Sequence, residues 1–229
     1  MLTPSVKHFV FSCQEEKLKN FTPGQFITML FEIDGKVLRR SYSIANRNQS
    51  QEIEFDAGYV EKGPASEKLF PMKVGDTIQV NGPFGRLLLK EEPVKRYFLV
   101  ATSTGIVPYR AMLNQLSEKL EQDSSLVVHI LEGVREKQDL IYGDEFLEFV
   151  AKHKNAHFHA CYSREKSPDL NSYESIGYVQ EKLMSLNPSA DDDLFYLCGN
   201  PAMIDSCFEK LSASGVEQKK IRREKYISR

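Results

Sequence analysis

The chain has 229 residues, enough for one large domain or two small ones. Hydrophobic residues make up 41% and charged residues 27%, an ordinary globular balance, and the net charge of −2 gives no indication of a nucleic-acid partner. No signal peptide opens the chain, no apolar run approaches the ~20 residues of a membrane span, and the four cysteines show no metal-binding spacing. We therefore expect a soluble, cytoplasmic protein with free thiols, no metal site and no membrane span.

The first half of the chain has the pattern of short strands and turns. Six short strands at close spacing are indicated, among them the alternating runs 7–12, 25–31, 36–45, 52–60 and 77–80. Gly- and Pro-containing turns such as Pro23-Gly24 and Gly82-Pro83 separate them. This pattern predicts a small antiparallel barrel.

The third of these strands carries an unusual set of polar groups, Arg40-Ser41-Tyr42-Ser43. Alternation places Arg40 and Tyr42 on one face and Ser41 and Ser43 on the other. Arg matches a phosphate with a rigid fork of donors, a Tyr ring lies well against another flat ring, and a hydroxyl can bond a ring nitrogen. A flavin nucleotide offers all three features, although a solvated edge strand remains an alternative.

A second polar stretch, Gly63-Pro64-Ala65-Ser66, precedes a short helical pattern at 67–70. The first backbone N–H groups of a helix have no partner within it, and they bind anions readily. A phosphate site is therefore one interpretation of this stretch. A plain serine cap on a connecting helix is the other.

After a boundary near Glu91-Glu92-Pro93 the period of the hydrophobic pattern changes. Strand patterns at 96–101, 126–132, 156–161 and 194–198 alternate with helical patterns at 109–120, 144–152, 178–186 and 202–211. Alternating strands and helices predict βαβ units and a parallel sheet, with ligands beyond the carboxyl ends of the strands. We predict an antiparallel barrel domain at 1–92 and a parallel-sheet α/β domain at 93–229.

The loops that follow these strands contain groups suited to a nucleotide. Thr104-Gly105 gives a hydroxyl and a close backbone approach, and Ser163-Arg164 places a hydroxyl beside a guanidinium. Arg135 adds a second cation; each Arg alone is more often a solvated charge, but two at neighbouring strand ends favour a site. Cys198 ends a strand, so its sulfur either lines the crevice or is a small buried core group.

Six short motifs occur in an order that resembles the ferredoxin–NADP reductase family. They are Arg40-x-Tyr42-Ser43, Gly63-x-x-Ser66, Gly82-Pro83-Phe84-Gly85, Thr104-Gly105-Ile106-x-Pro108, Ser163-Arg164-Glu165 and Cys198-Gly199-Asn200-Pro201. The resemblance covers nearly the whole chain. It implies an FAD-binding barrel followed by an NADP(H)-binding domain, as in the compact bacterial ferredoxin or flavodoxin reductases.

The resemblance also implies roles for individual residues. FAD contacts are implied for Arg40, Ser41, Tyr42, Ser43, Gly63, Ala65 and Ser66, and NADP(H) contacts for Thr104, Gly105, Arg135, Ser163, Arg164 and Tyr178. Ser43, Cys198 and Glu224 are implied at the reacting atoms. Tyr226 resembles the aromatic residue that covers the flavin, with Ile227, Ser228 and Arg229 running on past it.

The implied activity is hydride transfer between NADP(H) and FAD, with single electrons passing to or from ferredoxin or flavodoxin. Two alternatives are the reductase component of an oxygenase system and a flavoprotein subunit of a larger complex without nicotinamide turnover of its own. The end of the chain is strongly basic, with Lys219, Lys220, Arg222, Arg223, Lys225 and Arg229. We interpret this cluster as a docking site for an acidic electron carrier or as a solvated tail.

Overall fold

The computed structural model describes residues 1–13, 16–167 and 169–226. Its strands are β1 (Val6–Ser12), β2 (Phe26–Ile33), β3 (Lys36–Ser43), β4 (Glu52–Gly58), β5 (Gln79–Phe84), β6 (Arg96–Thr102), β7 (Val127–Val134), β8 (Ala156–Tyr162), β9 (Glu174–Ile176), β10 (Asp193–Gly199) and β11 (Ile221–Lys225). Its α-helices are α1 (Glu16–Lys19), α2 (Pro64–Leu69), α3 (Val107–Ala111), α4 (Leu113–Gln122), α5 (Gly143–Lys152), α6 (Val179–Ser185) and α7 (Pro201–Ala213).

The first domain is built from antiparallel strands around its own core. β1 pairs with β4, β2 lies between β3 and β5, and a bridge between Ile44 and Phe55 links the two sheets. Phe9, Ile27 and Phe55 are buried between them. In the described part of the chain this domain has five strands, where the sequence predicted six. Residues 85–95, which follow β5, run onto the second domain without forming a strand.

The second domain is a parallel sheet in the order β11-β10-β6-β7-β8-β9. Because neighbouring residues of a strand point to opposite faces, Leu99 packs with α4 and α5, whereas Val100 packs with α6 and α7. Helices on both faces explain the near-continuous apolar runs of the central strands. An antiparallel domain followed by a parallel α/β domain confirms the predicted fold class.

Three elements differ from the sequence expectation. The helix expected at 109–120 is interrupted at Met112, which separates α3 from α4. The short strand β9 and the charged strand β11 were not expected. Because residues 221–225 form an edge strand paired with β10, the interpretation of this basic segment as a solvated tail is wrong for them. Arg229, the last member of the predicted cluster, lies outside the described residues.

The segment between the domains packs closely against the second one. Leu87 is buried and Leu89 partly buried against the core of the parallel-sheet domain. The Lys90 backbone N–H donates to the Tyr196 hydroxyl at 3.0 Å, and the Tyr97 hydroxyl donates to the Lys90 carbonyl at 2.9 Å. The segment that connects the two domains is therefore packed and hydrogen-bonded against the second domain along residues 87–90. Within the described ranges, no helix has both the length and the apolar character needed to cross a bilayer.

Candidate functional site

A cleft of about 970 Å³ lies between the two domains, at the carboxyl ends of the parallel strands. The barrel contributes the start of β1 and the end of β4, which pair with each other; Ser5 and Tyr59 are among these residues. The second domain contributes the residues that follow β6, β7, β8 and β10. This is where ligands bind in parallel α/β sheets.

Most of the nucleotide residues expected from the sequence reach this cleft. Thr104, Arg135, Ser163 and Tyr178 line it, and Arg135 and Tyr178 are exposed to solvent there. Arg164 is exposed but does not line the cleft; its backbone N–H donates to the Arg135 carbonyl at 2.8 Å. The structure therefore places Arg135, and not Arg164, on the cleft wall.

Close backbone packing at the strand ends depends on two glycines. A Cβ on Gly105 would lie 2.3 Å from the Cys198 carbonyl oxygen, so no side chain fits there. Gly199 has a φ of +117°, and a Cβ on it would lie 2.6 Å from the Thr102 hydroxyl oxygen. Gly105 thus acts through packing behind the cleft. Thr102 and Gly199 line the cleft. Gly199 belongs to the motif Cys198-Gly199-Asn200-Pro201, whereas no motif contains Thr102, and its position at a strand end was the available signal.

The barrel strand β3 presents Arg40 and Tyr42 on one face, as alternation predicted. The Tyr42 ring packs against Phe55 with ring centres 5.2 Å apart, and burial raises the pKa of Tyr42 to about 12 against the opposing charge of Arg40. Ser41 lies on the other face, where its hydroxyl hydrogen-bonds that of Thr28 at 3.1 Å. Side chains alternate along the strand, so Ser41 shares the face of Ser43 and not that of Arg40 and Tyr42.

The start of α2 forms a tight turn around Val60. The Ser66 hydroxyl accepts a hydrogen bond from the Val60 backbone N–H at 3.0 Å, and a Cβ on Gly63 would lie 2.9 Å from the Val60 carbonyl oxygen. Ala65 and Ser66 are buried. The Ser66 hydroxyl thus fastens the turn, and the first backbone amides of α2 are the groups available to an anion.

The two domains meet at a polar junction at the ends of β3 and β11. The hydroxyl oxygens of Ser43 and Tyr226 are 2.5 Å apart, and the Tyr226 backbone N–H donates to the Gly199 carbonyl at 2.8 Å. Burial raises the pKa of the adjacent Glu224 carboxyl to about 7, against a hydrogen bond with Ser43 that lowers it. These contacts place a hydroxyl, a phenol and a readily protonated carboxyl together.

Cys198 lies behind this junction and does not line the cleft. Its side chain is 0% exposed, and burial raises the pKa of its thiol well above the usual range. The interpretation in which the sulfur lines the crevice is therefore not met, because Tyr226 occupies the cleft wall in front of it. Its place is that of a small buried group.

The residues of the barrel fit a flavin nucleotide in their chemistry. The cation of Arg40 and the first-turn amides of α2 suit a diphosphate. The ring of Tyr42 offers a flat face, and the Ser43 hydroxyl can hydrogen-bond a ring nitrogen. The donor set that FAD requires is thus present on β3 and α2.

Two family models match the chain, an oxidoreductase FAD-binding domain at residues 1–88 and an oxidoreductase NAD-binding domain at residues 99–209. The toluate 1,2-dioxygenase electron transfer component of Pseudomonas putida is 30% identical over 210 residues, covering 91% of this chain and 59% of that protein. A ferredoxin–NADP reductase of Azotobacter vinelandii is 28% identical over 231 residues, covering 91% of this chain and 85% of that one.

A solved structure shares the whole fold. The ferredoxin NADP+ reductase from Neisseria gonorrhoeae with bound FAD and NADP matches with a TM-score of 0.84 and 23% identity, over 98% of this chain and 94% of that one. The chain spans just over half the length of the toluate component, so that protein has further parts. The two matched domains, their order and their fold together show that the chain belongs to the ferredoxin–NADP reductase family of FAD- and NAD-binding oxidoreductases.

Proposed function

We propose that the chain is an FAD-dependent reductase that moves hydride between NADP(H) and FAD and exchanges single electrons with ferredoxin or flavodoxin. The junction of Ser43, Glu224 and Tyr226 carries this proposal, since it joins the strand suited to a flavin with the nucleotide cleft. A flavin, when bound, would supply the conversion between one two-electron step and two one-electron steps.

The chain's own residues would bind, orient and protect the cofactor. Arg40 would hold the diphosphate, and Tyr42 would support the flat ring from its half-buried position on Phe55. The Tyr226 side chain would exclude water from the reacting face. Glu224, with a pKa of about 7, can hold or release a proton near neutral pH. In this assignment Ser43 and Glu224 are catalytic, and Cys198 supports them from behind.

Residues at the cleft support the proposal that the pyridine nucleotide carries a 2′-phosphate. Arg135 and Ser163 line it from adjacent strand ends, and Arg164 lies next to them. A 2′-phosphate adds charge that a guanidinium can hold, so we infer a preference for NADPH over NADH. Tyr178, 63% exposed on the cleft wall, offers a ring face to an adenine. The domain boundary proposed at 92/93 would then separate flavin binding from nucleotide binding.

The electron carrier is a further proposal. A ferredoxin–NADP reductase of 28% identity, 85% of which this chain covers, favours ferredoxin or flavodoxin. The 30% identity to an electron transfer component of a dioxygenase favours the second candidate, the reductase component of an oxygenase system. Cys161, Cys198 and Cys207 are buried and form no disulfide among the described residues, which agrees with a reducing, cytoplasmic setting for either function.

The first experiment measures the absorption spectrum of the purified protein before and after anaerobic addition of NADPH or NADH. We expect a flavin band that NADPH bleaches. Removing the charge-assisted contact in Arg40→Ala should weaken FAD binding by about tenfold or more, since such contacts contribute roughly 1.5–3 kcal/mol. Arg39→Ala, on the opposite face of β3, is the matched control. A colourless protein, or equal FAD retention in both variants, would contradict the assignment.

The second experiment distinguishes the candidate carriers. Reduced protein is mixed with a ferredoxin, a flavodoxin and an isolated iron–sulfur component of an oxygenase, and each reduction rate is measured. Fast reduction of ferredoxin or flavodoxin supports the main proposal. Reduction of the oxygenase component alone would replace it with the second candidate.

A further inference from the structure

The sheet formed by β1 and β4 has one face that is polar although much of it is buried. His8 on β1 and Asp56 on β4 are register partners, and Glu54 lies two residues before Asp56, so the three side chains share a face. Asp56 is only 4% exposed. A buried carboxylate requires hydrogen-bonding partners, and these come from the second domain as well as from the sheet.

Two residues of the second domain contact this face: Tyr142, the residue before α5, bonds Asp56, and Arg110 on α3 bonds Glu54. The Tyr142 hydroxyl donates to Asp56 Oδ1 at 2.8 Å, and His8 Nδ1 lies 2.8 Å from the same oxygen. Arg110 donates to Glu54 Oε2 at 2.8 Å, and its guanidinium carbon lies 4.5 Å from the centre of the Tyr142 ring. We call these five residues the interdomain joint.

Charge and burial fix the protonation states of the residues in the interdomain joint. Burial opposes the charge of Arg110, but hydrogen bonds to Glu145 and Glu54 raise its pKa, so it stays a cation. Burial, followed by the charge of Asp56, raises the pKa of Tyr142, so it stays a donor. Asp56 Oδ2 is buried without a hydrogen-bond partner in the described part of the protein, so Oδ1 carries the carboxylate's contacts.

Tyr142 reaches Asp56 from an unusual backbone conformation. Its φ of 57° lies in the left-handed region, which bulky residues rarely adopt, and such a conformation persists where its surroundings fix it. Tyr142 also ends the segment 135–142, which begins at Arg135 on the cleft wall. The side chain of Glu132 on β7 fixes this segment by accepting a hydrogen bond from the Ile141 backbone N–H at 3.1 Å. One short segment therefore connects the nucleotide cleft to the joint.

We propose that Asp56 and Tyr142 are positioning residues that fix the nucleotide domain against the flavin domain, and so set the alignment of the nicotinamide with the flavin. The inference rests on the proposed function. Neither residue is among the groups assigned to the reacting atoms, so each acts through the relative placement of the domains. A 1 Å misplacement can slow an alignment-dependent reaction about 100-fold, and for the loss of one anchoring hydrogen bond we expect a smaller effect of about tenfold.

The test replaces Tyr142 with Phe, which removes the hydroxyl and keeps the ring beneath Arg110. Flavin reduction is followed by stopped-flow absorbance at rising NADPH concentration. We expect the limiting rate to fall about tenfold while the half-saturating NADPH concentration changes less than about twofold. A limiting rate within about twofold of wild type would overturn the proposal.

Tyr162→Phe is the matched control, because the Tyr162 hydroxyl donates to the Glu174 carboxylate at 2.7 Å within a single domain. It should leave the limiting rate within about twofold of wild type, and an equal loss in both variants would overturn the proposal. Asp56→Ala should behave like Tyr142→Phe. Asp56→Asn, which keeps an acceptor oxygen for Tyr142, should restore most of the rate.

A second readout does not require activity. Spin labels are placed on cysteines introduced at the exposed positions Val37 and Ala151, one in each domain, in a Cys13→Ser background. Double electron–electron resonance measures the distance between the two labels. Its distribution should be broader or shifted in Tyr142→Phe compared with wild type and Tyr162→Phe. An unchanged distribution overturns the proposal whatever the rates show. If wild type lacks flavin or is not bleached by NADPH, the proposed function fails, and the distances still decide whether the joint holds the domains.

Discussion

The hydroxyl oxygens of Ser43 and Tyr226 lie 2.5 Å apart although 183 positions separate the two residues in the chain. Ser43 ends a strand of the barrel, and Tyr226 follows the edge strand of the parallel sheet. Glu224 shares this junction and is shielded from water. The contact therefore brings the flavin-facing strand, the nucleotide cleft and a titratable carboxyl to one place.

The Glu224 carboxyl makes stability depend on pH near neutrality. Its pKa is raised from 4.5 to about 7 in the folded protein, so its stabilising effect is complete below pH 4.5 and is lost as pH rises through about 7. Relative to Glu224→Gln, wild type should lose about 3 kcal/mol of unfolding free energy across this range. Urea unfolding at several pH values measures this. Glu217→Gln, at an exposed carboxylate paired with Lys219, is the control, and parallel curves for wild type and Glu224→Gln would contradict the assignment.

A histidine cluster on β7 and β8 should limit stability in acid. Burial, followed by the charges of His159 and His157, lowers the pKa of His129 to about 3. Its stabilising effect is therefore present above the unfolded pKa of about 6.5 and is lost as pH falls toward 3. His129→Phe, which can still stack on Phe98, should lower the acid-unfolding midpoint by about half a pH unit. His153→Asn is the control, and equal midpoints for wild type and His129→Phe would refute this prediction.

The two arginines near the cleft should contribute unequally to cofactor choice. Arg135 lines the cleft, whereas Arg164 contacts the Arg135 backbone from outside it. We expect Arg135→Ala to reduce the ratio of kcat/KM for NADPH over NADH by about tenfold, and Arg164→Ala to reduce it less. Steady-state kinetics with both cofactors test this. The same ratio in all three proteins would show that neither arginine selects the 2′-phosphate.

The basic segment 219–225, which consists of Lys219, Lys220 and strand β11, requires a docking test that replaces fewer of its cations. Lys220 donates to the Ala190 carbonyl at 2.8 Å, and Arg222 pairs with Glu92 at 3.1 Å, so replacing either should cost up to about 1 kcal/mol of stability. Lys219 and Arg223 are exposed; Lys219 pairs with the exposed Glu217 at 2.9 Å, and the Arg223 guanidinium carbon lies 3.9 Å from the centre of the Phe208 ring. Their exposure makes these two cations the ones to replace in the test. If this basic segment docks an acidic carrier, Lys219→Gln with Arg223→Gln should slow ferredoxin reduction at low salt.

The dependence of the reduction rate on salt and on the electron acceptor shows whether a slower rate is caused by lost docking. Opposite charges raise encounter rates and salt screens them, so the double variant should also show a weaker salt dependence. Reduction of ferricyanide, which needs no docking surface, is the control and should change little. Wild-type rates with ferredoxin at low salt would show that the carrier binds elsewhere.

The strands at the centre of the parallel sheet were predictable because both of their faces are buried. The apolar runs of β6 and β10 place their ends within one residue of those observed. Strand β11 was not predictable from periodicity, because four of its five residues are charged. Its pairing with β10 determines its conformation.

The candidate site was predictable where it depends on local pattern. Alternation placed Arg40 and Tyr42 on one face of β3 and Ser41 on the other, where it contacts Thr28. The contact between Asp56 and Tyr142 joins residues 86 positions apart, and no local pattern indicates it. Glu224 and Tyr226 were identified through the family resemblance, since charge and periodicity alone do not reveal what they meet.

The segment that joins the domains has a consequence for building chimeric reductases. Leu87 packs in the core of the second domain, and its carbonyl oxygen would lie 2.1 Å from a Cβ on Gly24 of the barrel. Lys90 is bonded to Tyr97 and Tyr196 through its backbone. A recombination breakpoint at 92/93 would therefore separate Lys90 from both tyrosines, whereas a crossover just after Gly85 would keep them together. Nucleotide domains exchanged at that earlier point should give a higher yield of folded hybrids.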